Sequence, residues 1–241
     1  MKNETAAARR MPRRLAAAAG ILLAVLLALF AASMLGDPLS RTYSVRHAVD
    51  YANETWPGQD FRAEEVQFTP GWCYQVTVQS SASRDTRFNV WVNFGVVTST
   101  DYDTAVASLY NTRARVDAAL SADVRAAMEA AGFAPFGATD FVLSYGAEGQ
   151  GTPAQQGFTL DMPYDRAAMP MAVNLELFGF DNQPRRELGE QVLRDAKAAM
   201  EAAGIRIDSY SVDIYDAHAP YQKDGAGNTW SSGRVPADQI S

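Results

Sequence analysis

Few side chains in this sequence are typical of a catalytic site or a metal site. The two histidines, His47 and His218, do not form the His-x-x-x-His pair that many zinc enzymes use. The single cysteine, Cys73, could act as a nucleophile only if a base such as one of these histidines lay beside it. The sequence therefore predicts no catalytic, cofactor-binding or metal-binding residues, and we expect a protein that is not an enzyme.

Acidic residues and glycines do not match known ligand-binding patterns either. Carboxylate oxygens suit calcium outside a cell, but these aspartates lack the spacing of a calcium loop: Asp101, Asp103, Asp208, Asp213 and Asp216. Gly146, Gly149 and Gly151 fit neither nucleotide-binding fingerprint, and the Gly-x-Ser-x-Gly motif of many hydrolases is absent. A cell-envelope enzyme with an Asp- or Cys-based site is the alternative to a non-catalytic protein.

Aromatic residues give a further indication of function. The four tryptophans lie at turns, on the polar side of a predicted strand or in the C-terminal tail: Trp56, Trp72, Trp91 and Trp230. Some of them could form a contact surface, although covering a sheet edge would explain them equally well. The pattern Asn53-Glu54-Thr55 matches a glycan acceptor, which matters only in a cell that glycosylates its proteins.

A long apolar run near the start predicts a membrane anchor. Residues 15–35 are 21 uncharged residues, and as a helix they would span about 31 Å, enough to cross a bilayer core. Residues 1–14 form a basic tail with five basic residues and one acidic residue, which predicts a cytoplasmic N-terminus and an extracytoplasmic C-terminal domain. Cleavage near Ala31-Ala32-Ser33 is the alternative, although signal peptides have shorter apolar runs.

The charge of the remaining chain bears on its partners. After residue 14 the sequence has 16 basic and 27 acidic residues, which argues against nucleic acid as a partner. It also argues against binding flat to an anionic lipid surface. With one cysteine the chain has no internal disulfide, and roughly 200 residues are enough to bury a core without one.

Residues 37–103 are expected to form a small α+β unit. Gly36-Asp37-Pro38 ends the apolar helix, and apolar residues at helical spacing predict a short helix over 40–55. A β-rich run over 65–80 contains a turn signal at Pro70-Gly71, and alternation predicts a further strand over 88–94. Residues 96–97 then extend this strand or bend it at Gly95.

Residues 104–215 are expected to form a second α+β unit, and residues 216–241 a polar, loop-like tail with Trp230 as its docking point. Helical spacing predicts one helix over 104–131, or two helices if Ser121 caps a second one. Strands are predicted over 141–145, 158–162, 171–177 and 205–215, with a flexible loop over 145–157 and a helix over 185–203.

The heptapeptide AAMEAAG occurs twice, at 126–132 and at 198–204. Each copy is predicted to end a helix that precedes a strand. Two duplicated α–β units on one sheet, as in ferredoxin-like arrangements, would explain the repeat. Chance would also explain it, because Ala-rich helices that end in glycine are common.

The first hundred residues carry several short motifs in a fixed order. After the basic tail and the apolar helix come Gly36-Asp37-Pro38-Leu39, Trp56-Pro57, CYQVTVQS at 73–80, and FNVWV at 88–92 followed by Asp101-Tyr102. This order resembles the YfjL-like family of membrane-anchored bacterial proteins. The resemblance implies an extracytoplasmic helix-plus-sheet module of uncharacterised role and carries no catalytic residues. One helix followed by three strands is also similar to cystatin-like and PepSY-type modules, which tend to bind or inhibit.

Together these features predict a single-pass membrane protein with an extracytoplasmic α+β ectodomain. We expect a cystatin- or PepSY-like helix-plus-antiparallel-sheet unit, followed by a second α+β unit for which a ferredoxin-like order is one option. The predicted function is non-catalytic binding: the lipid bilayer holds residues 15–35, and the ectodomain contacts an envelope protein, a peptide or the cell wall. An accessory subunit of a transporter or sensor is a further alternative.

Overall fold

The computed structural model has an α+β fold in which the chain divides between Val106 and Ala107. The structure describes residues 4–70, 73–133, 140–145, 152–217 and 229–241. We call Met1–Val106 the N-terminal unit and Ala107–Ser241 the C-terminal unit. Each unit has its own sheet and its own cluster of buried apolar side chains.

Helix α1 (Glu4–Leu35) contains the whole apolar run. Alanine and leucine have high helix propensity, so an Ala- and Leu-rich segment is helical without tertiary support. The large apolar side chains along it are exposed: Leu15, Ile21, Leu22, Leu23, Val25, Leu26, Leu27, Leu29, Phe30 and Met34. Within the part of the chain that the structure describes, no helix has both the length and the apolar character needed to cross a membrane.

Helix α2 (Pro38–Thr55) begins at a well-formed cap. The carboxylate of Asp37 accepts the backbone N–H groups of Leu39 at 3.0 Å and of Ser40 at 2.9 Å, which satisfies donors that a helix start leaves unpaired. The buried hydroxyl of Tyr74 lies 3.2 Å from both the backbone nitrogen and the carbonyl oxygen of Asp37, and 2.9 Å from the Ser40 hydroxyl. The start of α2 is therefore tied to the sheet.

This cap is expected to weaken in acid. The Ser40 hydroxyl is the main cause that lowers the pKa of Asp37, and the backbone N–H groups of Ser40 and Leu39 lower it further. Because the folded pKa lies below the ordinary value of about 3.9, the stabilisation is complete above that pH and is lost as pH falls through the folded pKa. Protection against hydrogen exchange at the start of α2, expressed relative to the intrinsic exchange rate at each pH, should therefore fall in acid.

The matched control is Asp37→Asn, since asparagine also caps helices but does not titrate there. Asp60 titrates in the same direction, its pKa lowered first by the Ser81 hydroxyl and then by Arg62, so the difference between the natural chain and the variant isolates Asp37. Equal acid sensitivity in the two proteins would contradict this account of the cap.

The N-terminal unit continues with an antiparallel sheet of four strands in chain order: β1 (Phe61–Thr69), β2 (Cys73–Ser80), β3 (Arg87–Asn93) and β4 (Val96–Thr100). Helix α2 packs against one face of this sheet. The predicted alternation along β2 and β3 is confirmed, because the apolar side chains on that face are buried: Tyr74, Val76, Val78, Phe88, Val90 and Val92.

The strand predicted over 88–94 ends one residue early. Asn93 pairs with Val96, so Phe94 and Gly95 form a two-residue hairpin turn in which both φ angles are positive, at 47° and 78°. Such a turn matches the twist of the flanking strands. The Phe94 side chain consequently leaves the core and is 73% exposed.

Among its described residues the C-terminal unit has two α-helices, a 3-10 helix at Ala237–Gln239 and a mixed sheet. Its elements are α3 (Tyr110–Ala130), β5 (Asp140–Tyr145), β6 (Val173–Asp181), α4 (Arg186–Ala202), β7 (Ser209–Asp216), β8 (Thr229–Ser231) and β9 (Val235–Pro236). The sheet order is β5-β6-β7-β8, with β9 also paired to β7. Strands β6 and β7 are parallel and joined through α4, whereas the other pairs are antiparallel. The apolar faces of α3 and α4 belong to its core.

The helix predicted over 104–131 is divided, but not at Ser121. A short π-helical segment, Asp103–Ala107, comes first, and Leu109 then adopts a positive φ of 63°. This left-handed residue interrupts the helical path, since neighbouring residues cannot continue the same hydrogen-bond ladder through it. Ser121 lies inside α3, which is one helix.

The prediction of a strand over 158–162 is wrong, because these residues form turns and irregular loop structure. The backbone N–H of Phe158 donates to the carbonyl of Pro153 at 3.0 Å, so it closes a turn instead of pairing with a strand. The apolar character that suggested a strand has another cause, because the Phe158 side chain is 2% exposed and enters the core from this loop.

The tail predicted as loop-like is folded over 229–241. Strands β8 and β9 pair with β7, and Ile240 is buried against the core. Trp230 packs on the same core, close to Gly189 of α4. The short apolar positions of this segment carried too little periodicity to predict strands of two or three residues.

The repeated heptapeptide forms the same helix end twice. At the end of α3 the backbone N–H of Phe133 donates to the carbonyl of Met128 at 3.0 Å. At the end of α4 the backbone N–H of Ile205 donates to the carbonyl of Met200 at 2.9 Å. Gly132 and Gly204 have φ angles of 66° and 67°, as this type of C-terminal cap requires. The sheet departs from the ferredoxin-like order β-α-β-β-α-β, since the C-terminal unit begins with α3 and pairs β6 directly with β7.

Candidate functional site

The described residues that suggested catalysis, His47 and Cys73, lie on different elements of the N-terminal unit. His47 lies on α2, where its ring contacts Tyr43 at a centroid distance of 4.1 Å. Cys73 is the first residue of β2 and is half-buried. His218 lies outside the described residues. Neither a cavity of about 580 Å³ in the N-terminal unit nor one of about 510 Å³ in the C-terminal unit is lined by Cys73 or by Asp213 and Asp216.

Two of the five aspartates considered as calcium ligands, Asp101 and Asp208, form hydrogen bonds that hold the local structure. Asp101 accepts the backbone N–H of Asn89 at 2.6 Å and the Asn89 amide at 2.8 Å. Asp208 accepts the N–H of Val173 at 2.9 Å and pairs with Arg206 at 2.6 Å. Asp103 lies in the π-helical segment, while Asp213 and Asp216 lie on β7. In the described ranges no group of three ligand-type side chains could hold a metal ion.

Asn53, the residue of the glycan acceptor pattern, joins α2 to the sheet. Its Oδ1 accepts the N–H of Phe61 at 2.8 Å, while its Nδ2 donates to the carbonyls of Phe61 at 3.2 Å and Val49 at 3.1 Å. Both amide hydrogens are used, so a glycan on Nδ2 would replace one of these bonds. The asparagine is explained by this structural role.

Asn53→Ala is expected to lower the free energy of unfolding of the N-terminal unit by about 1–3 kcal/mol, because it leaves the backbone groups of Phe61 without their partners. Hydrogen exchange at the Phe61 amide should accelerate accordingly. Thr55→Ala is the control, since it removes the acceptor pattern and leaves these bonds in place. Unchanged protection at Phe61 in the Asn53 variant would contradict this role.

The tryptophans have different environments. Trp56 stacks on Tyr102 at 4.0 Å and contacts Phe88 at 4.9 Å, so it belongs to an aromatic cluster of the core. Trp230 packs on the core of the C-terminal unit, and Trp72 lies outside the described residues. Trp91 alone of the three described tryptophans lies on the sheet face away from α2, where it is half-buried.

We call the row through Trp91 the tryptophan face; it consists of Gln67, Gln75, Trp91 and Ser99. These residues are direct cross-strand partners on four successive strands, so their side chains lie side by side. None of the four is charged, and each can donate or accept hydrogen bonds. The row therefore combines one large flat ring with amide and hydroxyl groups across the width of the sheet.

Neighbouring rows extend this surface. Thr77 donates to Asn89 at 2.8 Å, and this pair lies on one side of the tryptophan face. On the other side Cys73 pairs with Asn93, whose Oδ1 is buried and has no hydrogen-bond partner among the described residues. A buried acceptor without a partner is costly, but this oxygen has no exposed surface and so adds no contact to the tryptophan face.

The sequence indicated part of this surface. Alternation placed Gln75 and Trp91 on the polar side of their strands, and both assignments agree with the structure. Gln67 and Ser99 were missed, because their alignment with Trp91 depends on the register of four strands. The register between strands is set by strand pairing and by turns, which involve residues far apart in the sequence. The periodicity of a single segment therefore does not predict it.

A second polar cluster lies on the neighbouring strands β5, β6 and β7. Asn174, which is 1% exposed, donates to Ser144 at 3.2 Å and to Glu176 at 3.0 Å, and it accepts from Ser209 at 3.0 Å. Ser144 also donates to Glu176. Because these groups satisfy one another, the cluster is explained as internal structure. Within the tryptophan face, Gln67 likewise donates to the neighbouring Glu65 at 2.8 Å.

Neither a protein-family model, nor a curated protein, nor a solved structure matches this chain. The resemblance to the YfjL-like family therefore stays a prediction.

Proposed function

We propose that this protein is a membrane-anchored, non-catalytic binding protein whose N-terminal unit contacts an envelope protein or peptide through the tryptophan face. The observation that carries the proposal is the position of Trp91 at the centre of a four-strand row of uncharged hydrogen-bonding side chains. Tryptophan is the residue type most enriched at energetically important contacts, and half-buried indole rings anchor partners well.

The anchor is the other part of the proposal. Residues 15–35 hold the chain in the bilayer, the basic tail 1–14 stays in the cytoplasm, and both folded units lie outside. The uncharged composition of this run and the exposed apolar side chains of α1 support it. This support comes from sequence and exposure, not from a span identified among the described helices.

One helix packed on a four-stranded antiparallel sheet is compatible with a cystatin- or PepSY-like unit. Modules of that shape tend to bind or inhibit, and this analogy at the level of fold favours binding without identifying the partner. A YfjL-like family membership would be consistent with the same role.

Crosslinking in intact cells tests the binding proposal. The full-length chain with a tag after Ser241 is crosslinked and recovered, and the same is done with Trp91→Ala. Because truncation of a central interface tryptophan costs about 2 kcal/mol or more, recovery of the crosslinked partner should fall at least about tenfold. Tyr110→Ala is the control, since Tyr110 is a 62% exposed aromatic residue of the C-terminal unit.

The outcomes separate the alternatives. A partner that is lost with Trp91→Ala and kept with Tyr110→Ala supports binding through the tryptophan face. A partner recovered equally with both variants contradicts that surface. Recovery of nothing but the chain itself, at good expression, contradicts the binding function and favours screens for an envelope enzyme.

A further inference from the structure

We infer that an apolar patch of the N-terminal unit lies in the lipid interface of the membrane that holds α1. The apolar patch consists of Leu39, Tyr43, Phe94 and Val96, whose exposed fractions are 83, 54, 73 and 65%. Large apolar side chains that are exposed together mark an interaction surface. The patch contacts lipid in this way only if α1 is a membrane anchor, as proposed above.

Three of the four residues line one continuous surface, and Val96 directly follows the hairpin turn. Leu39, Tyr43 and Phe94 line a single open cavity of about 580 Å³. The hairpin turn packs directly on α2, since a Cβ added to Gly95 would lie 2.6 Å from Cε1 of Tyr43. Residues from the first two turns of α2 and from the β3–β4 turn therefore present one apolar surface.

The patch is fixed close to the end of α1. Leu39 follows Leu35 by four residues, a separation of at most about 14 Å along the chain. The intervening segment is held by the Tyr74 hydroxyl, which bonds both backbone groups of Asp37. A Cβ on Gly36 would lie 3.1 Å from the Phe68 ring, so this segment also packs closely on β1.

This position matches the depth of a membrane interface. The headgroup layers add roughly 5–8 Å on each side of the hydrocarbon core, so residues just after an anchor that ends at Leu35 lie within or next to that layer. The patch has no charged side chain, and tyrosine is enriched at this level because its ring is apolar and its hydroxyl is polar. An uncharged apolar patch fits a lipid interface irrespective of the acidic charge of the ectodomain.

Fluorescence quenching in vesicles tests this inference with the full-length chain. On a Cys73→Ser background, an environment-sensitive fluorophore is attached to one cysteine at a time, at Phe94, Leu39, Leu26 or Glu54. The vesicles are zwitterionic and contain lipids with a quencher on the acyl chain. Leu26 reports the anchor. Glu54, an exposed residue at the other end of α2 and about 22 Å along the helix from Leu39, is the control.

We expect quenching at Leu26, Phe94 and Leu39, and none above background at Glu54, since an interfacial apolar surface enters the boundary by about 5–10 Å. Quenching at Leu26 without quenching at Phe94 and Leu39 would overturn the inference and leave the anchor in place. Absence of quenching at Leu26 would overturn the anchor. Equal quenching at Glu54 would overturn a contact confined to the patch. Circular dichroism of each labelled variant establishes that it is folded.

Discussion

Phe88→Ala is expected to lower the free energy of unfolding of the N-terminal unit by about 3–5 kcal/mol. Phe88 is 2% exposed and lies between Trp56, Phe61 and Tyr102, with ring centroid distances of 4.9, 5.3 and 5.1 Å. Its removal leaves a cavity among rings that join α2, the sheet and the segment after β4. Thermal unfolding of the purified full-length chain, followed by near-ultraviolet circular dichroism, measures the loss.

Trp91→Ala is the matched comparison, because Trp91 is an aromatic residue of the same strand on the opposite face. It should cost much less stability, since the ring is half-buried, and yet it should remove the crosslinked partner. Partner binding should survive Phe88→Ala at temperatures where the variant is folded. If Trp91→Ala destabilised the unit as much as Phe88→Ala, Trp91 would be a structural residue and the tryptophan face would lose its support.

Gly189→Ala is expected to destabilise the C-terminal unit, although alanine is the better helix former. A Cβ at this position would lie 1.7 Å from Cζ3 of Trp230, so the indole ring must leave its site on α4. Overpacking of this kind costs about 1–3 kcal/mol. This exceeds the gain of roughly 0.5–1 kcal/mol from replacing glycine inside a helix. Thermal unfolding of the purified full-length chain measures the net change.

A double-mutant cycle gives this prediction its control. A Trp230→Ala background removes the three atoms nearest to the new methyl group, so Gly189→Ala should become stabilising there, by the helix propensity difference of roughly 0.5–1 kcal/mol. The sign of the effect of one substitution therefore depends on the presence of the indole ring. A destabilising effect of equal size in both backgrounds would show that Trp230 does not dock on α4.

Local patterns predicted the elements that have their own periodicity. The alternation of Tyr74, Val76 and Val78 identified the buried face of β2, and the 3.6-residue spacing of Val192 and Ala196 identified that of α4. In both cases one face of a regular element is buried in a core. Burial of one face requires apolar residues at regular spacing, and this spacing is visible within a single segment of the sequence.

Features that depend on distant residues were not predictable in this way. Phe94 continued an apolar alternation, yet the register between β3 and β4 made it a turn residue. Strands β8 and β9 exist because β7 supplies their hydrogen-bond partners, and two- or three-residue segments have no measurable period. The tryptophan face likewise depends on the register of four strands, whereas the polar side of β2 and β3 was visible in the sequence.

The topology of the full-length chain in a native membrane tests the central claim most directly. An epitope is placed before residue 1 and another after Ser241, and sealed right-side-out vesicles are washed with sodium carbonate and then treated with protease. We predict that the chain stays in the membrane pellet, that the C-terminal epitope is digested, and that the N-terminal epitope is protected. Release of the chain by carbonate, or protection of the C-terminal epitope, would contradict a membrane-anchored binding protein whose folded units lie outside the cell.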